Sequence, residues 1–196
     1  MIVGRYILYI FAAELKPKLK NKEGKNMKKT ALISMMLLMT VASFGHKRVS
    51  DNAVVVADTI YYAGNHISVA NAEQASYYRL LMTQGTGDKK EDVFQDFYMD
   101  GTLKAEGGYK FVDLGNDQNT ILNGDVITYY ANGKEKLRGK YEDGKRNGYF
   151  TLQLRDGGVA VVKYVDGRSV FDHFMVTHPN GNQEERPLSE IRSLLQ

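Results

Sequence analysis

The sequence predicts an all-β protein, an antiparallel meander of β-hairpin repeats with a short C-terminal helix, and two observations predict it. Asx-Gly dipeptides punctuate the second half of the chain at near-constant intervals. The segments between them alternate apolar and polar residues with the period of two that sends strand side chains to opposite faces. The glycines of Asn132-Gly133, Asp156-Gly157 and Asn180-Gly181 lie 24 residues apart, as do those of Asn123-Gly124 and Asn147-Gly148, and Gly144 precedes Gly167 by 23. Asp100-Gly101 stands 32 residues before Gly133, the same unit lengthened by an insertion at 112–120. These dipeptides accept the positive φ that two-residue hairpin turns require, so each is expected to close a hairpin.

The N-terminal quarter reads differently. Met27-Lys28-Lys29, the apolar run 31–41 and the small residues Ala42, Ser43 and Gly45 have the order of a signal peptide, 27–45, with cleavage near 43–45. The run is about half the roughly 20 apolar residues that a membrane-spanning helix needs. Residues 1–26 then precede an export signal, and they read as the product of a start codon placed too early. The mature chain is expected in the periplasm or outside the cell, with no transmembrane segment.

Composition narrows the function classes. The formal charge of +3 belongs to the leader: residues 1–45 carry eight Lys or Arg against two Asp or Glu, leaving 18 basic and 21 acidic residues beyond them. That balance gives no electrostatic argument for nucleic acid. The chain has no cysteine, which excludes disulfides, thiolate nucleophiles and a lipid-anchored cysteine. The exported part must therefore be held by its own core.

Residues 46–92 form a lead-in. A first strand is expected within 53–57. Thr59 to Tyr62 and His66 to Ala70 flank Gly64-Asn65 as a hairpin, Asn71 caps one helical turn, Tyr77 to Thr83 is a strand, and 84–92 is a polar loop. The repeats occupy 93–186. In them Val126, Thr128 and Tyr130 match Phe150, Leu152 and Leu154, then Phe174, Val176 and His178, on the face expected to form the core. Glu135, Leu137, Gly139 and Tyr141 join that face, while Lys134, Lys136, Arg138 and Lys140 are expected in water. Leu103, Ala105, Gly107 and Tyr109 likewise oppose Thr102, Lys104, Glu106 and Gly108. One hairpin cannot bury its apolar side alone, so neighbours share a core. Residues 187–196, with Leu188, Ile191, Leu194 and Leu195 near helical spacing, read as an amphipathic cap over the open end.

The segment Tyr129-Tyr130-Ala131-Asn132-Gly133-Lys134, continued by Lys140-Tyr141-Glu142-Asp143-Gly144-Lys145-Arg146-Asn147-Gly148, resembles the bacterial variant of the MORN repeat. A first copy runs Phe97-Tyr98-Met99-Asp100-Gly101 to Gly107-Gly108-Tyr109, a third spans 150–168, and a partial fourth spans 174–181. The third is one residue shorter and lacks a counterpart of Gly139, so its second strand is expected to lose the usual bend. Asp58-Thr59-Ile60-Tyr61-Tyr62 and Ala75-Ser76-Tyr77-Tyr78-Arg79 resemble the lead-in of exported Bacteroidetes MORN-variant proteins. Some relatives of that kind continue into a TonB domain, which is not expected here, so only the repeat module carries over, and others are labelled YwqK-like antitoxins. The resemblance implies a binding or scaffolding module and carries no catalytic residues.

The residues themselves offer little chemistry. His173 and His178, five apart on a strand, point to opposite faces and make a poor metal pair, and neither a metal nor a cofactor is expected. No nucleophile elbow is present. Gly85-Thr86-Gly87-Asp88-Lys89-Lys90 lacks the ending of a phosphate loop. Asp88, Glu91, Asp92 and Asp96 read as a solvated acidic loop. Tyrosine is the unusual resource, 13 in all. Tyr98, Tyr109, Tyr130 and Tyr141 share the core phase, whereas Tyr129 and Tyr149 lie on the other. With Ile127 and Met175 they are the candidate partner-binding residues, since exposed aromatic patches anchor partners. The expected function is a non-enzymatic envelope module holding a protein or glycan, ahead of a YwqK-like antitoxin and an envelope hydrolase.

Overall fold

The computed structural model describes residues 48–57 and 59–195; the expected leader and signal peptide lie outside them. Among these residues thirteen strands follow one another: β1 (Val54–Val55), β2 (Ile60–Tyr62), β3 (Ser68–Val69), β4 (Tyr77–Gln84), β5 (Glu91–Tyr98), β6 (Leu103–Phe111) and β7 (Ile121–Tyr129), then β8 (Glu135–Glu142), β9 (Lys145–Gln153), β10 (Val159–Val165), β11 (Arg168–Ser169), β12 (His173–Thr177) and β13 (Gln183–Pro187). They form one antiparallel sheet in the order β13-β12-β10-β9-β8-β7-β6-β5-β4-β2-β3, with β1 beside β4 and β11 beside β10. Consecutive strands are neighbours almost throughout, so the fold is the all-β meander that the sequence predicts. Among the described residues the remaining regular structure is short 3₁₀ turns. The acidic stretch is not a loop throughout: Glu91, Asp92 and Asp96 lie within β5, and only 87–89 form a turn.

The Asx-Gly dipeptides serve three purposes rather than one. At 98–102, 130–134, 154–158 and 178–182 they close three-residue loops with one repeated set of bonds. In the first, Tyr98 N–H donates to Thr102 O at 2.8 Å, Gly101 N–H to Tyr98 O at 2.9 Å, and Thr102 N–H to the Asp100 carboxylate at 2.8 Å. Only the glycine adopts positive φ there, the geometry of a type I turn ending in a left-handed residue. Asp143-Gly144 and Asp166-Gly167 are true two-residue turns, with φ of 51° and 77°, then 50° and 81°. Asn123-Gly124 and Asn147-Gly148 lie inside β7 and β9, where the register shifts against the preceding strand. The 23- and 24-residue spacing therefore repeats turns and bulges together. The insertion falls where the spacing places it, at 112–120 between β6 and β7.

One face of the sheet carries the main core. Phe150, Leu152, Ala160, Val162, Phe174 and Val176 pack beneath Ile191 and Leu195, and a second cluster joins Leu81, Phe94, Ala105 and Val126. Gly139 is required here, since a Cβ on it would stand 2.4 Å from the Phe150 ring. The third repeat has no such glycine, and β10 pairs β9 without a register shift, as its sequence implies. Residues 188–195, expected to cap the open end, instead cover this face, and as two 3₁₀ turns (Leu188–Glu190 and Arg192–Leu194) rather than one amphipathic helix. Arg146 ties the cap to the sheet. Its guanidinium lies 5.3 Å from both the Phe150 and Tyr164 rings, donates to the hydroxyls of Tyr141 and Tyr164 at 3.3 Å, and donates to the Leu195 carbonyl.

Two bulges overturn part of the simple alternation. Asp96 pairs with Ala105 but Phe97 with Leu103, and Thr128 pairs with Leu137 but Tyr129 with Glu135. Lys104 and Lys136 are the extra residues, so both turn toward the core face, while Leu103 and Glu135 join the other. Glu106 is buried rather than wet.

Candidate functional site

The four sequence-predicted residues share the face opposite the main core. Ile127, Arg138, Thr151, Val161 and Met175 form one continuous cross-strand row over β7, β8, β9, β10 and β12. The face is not uniformly open, and two of the four candidates are misplaced as surface residues. Ile127 is 1 % exposed and Tyr129 6 %. Val49 of the lead-in packs on Met82 and Val93 on this side, and the Arg48 guanidinium lies 6.0 Å over the Tyr129 ring. The Tyr129 hydroxyl donates to Glu106 Oε1 at 2.6 Å, and Gln95 Nε2 donates to the other carboxylate oxygen at 3.2 Å. Burial, with the Glu106 hydrogen bond and charge, pushes the Tyr129 phenol well above its usual range. Tyr129 is a packing residue with a satisfied hydroxyl, not a docking aromatic.

Toward the C-terminus the same face is open. Tyr149 and Met175 are half-buried, and Lys163 Nζ lies 5.4 Å from the Tyr149 ring centroid. Val165, next but one to Lys163, is 55 % exposed. Phe171, 52 % exposed, stacks on His173 at 5.2 Å. A patch of aromatic, aliphatic and basic side chains thus spans β9, β10 and β12.

Sequence reasoning missed a second constellation, on the core face under the N-terminal strands. The Arg79 guanidinium holds Asp96 with two parallel bonds, Nε to Oδ1 at 2.7 Å and Nη2 to Oδ2 at 2.8 Å. Its Nη1 reaches Asp117 Oδ1 at 2.5 Å and Thr120 Oγ1 at 2.9 Å. Both Arg79 and Asp96 are 2 % exposed. The Phe94 and Tyr62 rings lie 4.5 and 5.6 Å from the guanidinium. Burial opposes the Arg79 charge, but the Asp96 hydrogen bonds and the two carboxylates outweigh it and hold Arg79 firmly protonated. Burial likewise acts to raise Asp117, yet Arg79 and the hydrogen bonds from Tyr77 and His66 keep its carboxyl below the usual range. The signal was present in the sequence: Arg79 lies between Tyr77 and Leu81 on the apolar phase of β4, opposite Asp96.

His66 completes this network from an unusual backbone position. Residues 63–67 repeat the three-residue loop: Ala63 N–H donates to Ile67 O at 2.9 Å, His66 N–H to Ala63 O at 3.0 Å, and Ile67 N–H to Asn65 Oδ1 at 3.2 Å. The residue in the glycine position is His66, at φ 68°. That left-handed conformation costs a residue with a Cβ about 1–2 kcal/mol. Its Nδ1 lies 3.1 Å from the Tyr77 hydroxyl and 3.4 Å from Asp117 Oδ2, to which Tyr77 donates at 2.8 Å. Asp117 N–H donates to the His66 carbonyl and Ser68 N–H to that of Gly115, so the insertion is latched to the β2–β3 hairpin. Burial, then Asp117, raises the Tyr77 phenol far above its usual value, and burial raises Tyr62 to about 12. At neutral pH both phenols are protonated donors rather than bases or nucleophiles.

No family model, curated protein or solved structure matches the chain. Among the described residues the other two histidines sit in local pairs: His178 Nε2 with Glu184 at 3.1 Å, and His173 Nδ1 with Asp172 at 3.1 Å. Among the described residues no helix is long and apolar enough to cross a membrane.

Proposed function

We propose that this chain is a non-enzymatic, MORN-like binding or scaffolding module of the bacterial cell envelope, and that it holds a protein or a glycan on the open face of β9, β10 and β12. The supporting observation is the contrast between the two halves of one sheet face. The same cross-strand row is closed at Ile127 and partly exposed at Met175. Around the open part stand Tyr149, Lys163, Val165, Phe171 and His173, a combination of aromatic area and a lysine head that suits partner docking. The buried polar residues support the same reading, because Arg79, Asp96, Asp117 and Tyr77 satisfy one another. Such a network holds the insertion in place. The envelope location rests on the export signal read at 27–45.

The test is crosslinking and capture from envelope extract with the native chain and with a Phe171→Asp/Met175→Asp variant. The proposal expects one set of partners retained by the native chain and lost from a folded variant. Capture of nothing by the native chain, or an identical set by both, refutes it.

A further inference from the structure

The first of the two Asx-Gly bulges opens a pocket on the same sheet face as the docking patch. Gly108 of β6 lies across from Val93 on one side and from the bulge at Asn123-Gly124 on the other. A Cβ on Gly108 would collide with the Asn123 carbonyl oxygen, so no side chain can fill the space above it. What remains is a pocket of about 340 Å³ between β5 and β8, at the small end of the roughly 300–1,000 Å³ of ligand pockets. Val49 and Val93, both buried, form its apolar wall. Its charges are of both signs and balanced: the carboxylates of Glu91 and Asp125 and the ammonium groups of Lys90 and Lys140. Asp92 borders it too, but strand alternation turns its carboxylate to the other face, where Thr83 Oγ1 donates to it at 3.1 Å. Glu91 is held in place, since Gln84 Nε2 donates to its Oε2 at 3.3 Å and Ser50 N–H donates to Gln84 Oε1 at 2.7 Å. Asp125, partly buried, makes no hydrogen bond or ion pair among the described residues. Lys140 lies directly across the ladder from it, yet Lys140 Nζ goes to Glu142 Oε1, outside the pocket, at 3.2 Å. The pocket also runs on toward the patch. Lys140 pairs with Asn147 of β9, and Tyr149 follows on the same side, about 12 Å from Asp125 by strand spacing and rise.

We infer that this pocket binds one sugar unit of a neutral glycan, whose chain then runs past Asn147 onto Tyr149 and the open patch. Asp125 and Glu91 accept from the sugar hydroxyls, Lys90 and Lys140 donate to them, and Val49 and Val93 take the C–H face of the ring. A hydroxyl both donates and accepts, so one sugar satisfies groups of both signs. An anionic ligand would meet Glu91 and Asp125, and a cationic one Lys90 and Lys140. The inference rests on the docking patch proposed above and selects a glycan over a protein as its occupant.

Isothermal titration of the full chain with neutral tetrasaccharides of glucose, mannose and N-acetylglucosamine tests the assignment, with a galacturonic acid tetramer and glycyl-glycine as charged controls. The inference expects at least one neutral tetrasaccharide to bind more tightly than either control. Asp125→Ala should weaken that binding about tenfold or more, the loss of a charge-assisted acceptor, whereas Asp125→Asn keeps an acceptor and should lose less. Lys140→Ala should weaken it too, so the test does not depend on one variant folding. No neutral saccharide bound, a control bound more tightly, or undiminished binding in both alanine variants overturns the assignment. A protein captured through Phe171 and Met175 with no saccharide bound overturns the glycan and leaves the docking patch standing. Binding that Asp125→Ala weakens and Phe171→Asp/Met175→Asp leaves intact upholds the pocket and refutes the patch instead.

Discussion

Replacing Arg79 by methionine tests the most demanding part of the structure. Arg79 is the counter-charge for Asp96, which is 2 % exposed, and it also holds Asp117 and Thr120. Methionine fills much of the volume beside Phe94 and Tyr62 but leaves a carboxylate in the core with no cation bonded to it. Removing one partner of a buried pair costs about 3–5 kcal/mol, because the other charge stays desolvated. For a domain of this size each kcal/mol moves the thermal midpoint by about 2–4 °C, so Arg79→Met should lose about 6–20 °C. The cost should come from the stranded charge rather than from a lost contact. Arg79→Met combined with Asp96→Leu should therefore recover most of it, to within about 2 kcal/mol of the native chain, since Asp117 lies nearer the surface and can hydrate. Urea unfolding followed by circular dichroism gives both numbers. If the single variant unfolds within about 1 kcal/mol of the native chain, or if the double variant is weaker than the single one, the pair is not the buried electrostatic anchor described above.

Three further outcomes are expected. His66→Ala keeps the left-handed strain and loses the ring, whereas His66→Gly relieves the strain, so the alanine variant should be less stable than the glycine variant by about 1 kcal/mol in equilibrium unfolding. Gly139→Ala forces a methyl into the Phe150 ring and should cost about 1–3 kcal/mol, while Gly133→Ala, with open space at the Cβ but φ at 77°, should lose only the backbone preference. The phenols of Tyr62, Tyr77 and Tyr129 are all raised in the folded chain. Their protonated forms thus favour folding below about pH 10, and that contribution should drain away as pH rises from there through the folded values. Tyrosinate absorbance should show these three ionising only as the urea midpoint collapses.

The meander, the repeat spacing and the site of the insertion were legible because each depends on local chemistry: Asx-Gly chain reversals and two-residue alternation. That Ile191 and Leu195 are buried was legible from their spacing, but the face they cover was not. What those signals left open was how the glycines are used. A three-residue loop, a two-residue turn and a bulge all want a glycine at positive φ, and only strand register separates them. The same blindness to bulges placed Lys104 and Lys136 in water and Glu135 in the core. The candidate site was half legible. The phase of Ile127, Tyr129, Tyr149 and Met175 was right, but exposure depends on what crosses the face, and nothing local to β7 announces that its outer side is buried. The Arg79 network required reading two strands together, since a lone arginine on an apolar phase gains its meaning only from the aspartate across the ladder.

The most direct measurement is thiol labelling, for which a chain without cysteine is a clean background. Met175→Cys and Thr151→Cys, both partly exposed, should react with a maleimide in the folded chain, whereas Ile127→Cys, in the same cross-strand row, should react slower than either by on the order of 100-fold because it awaits local opening. Equal rates at 127 and 175 would contradict a sheet face closed at one half and open at the other.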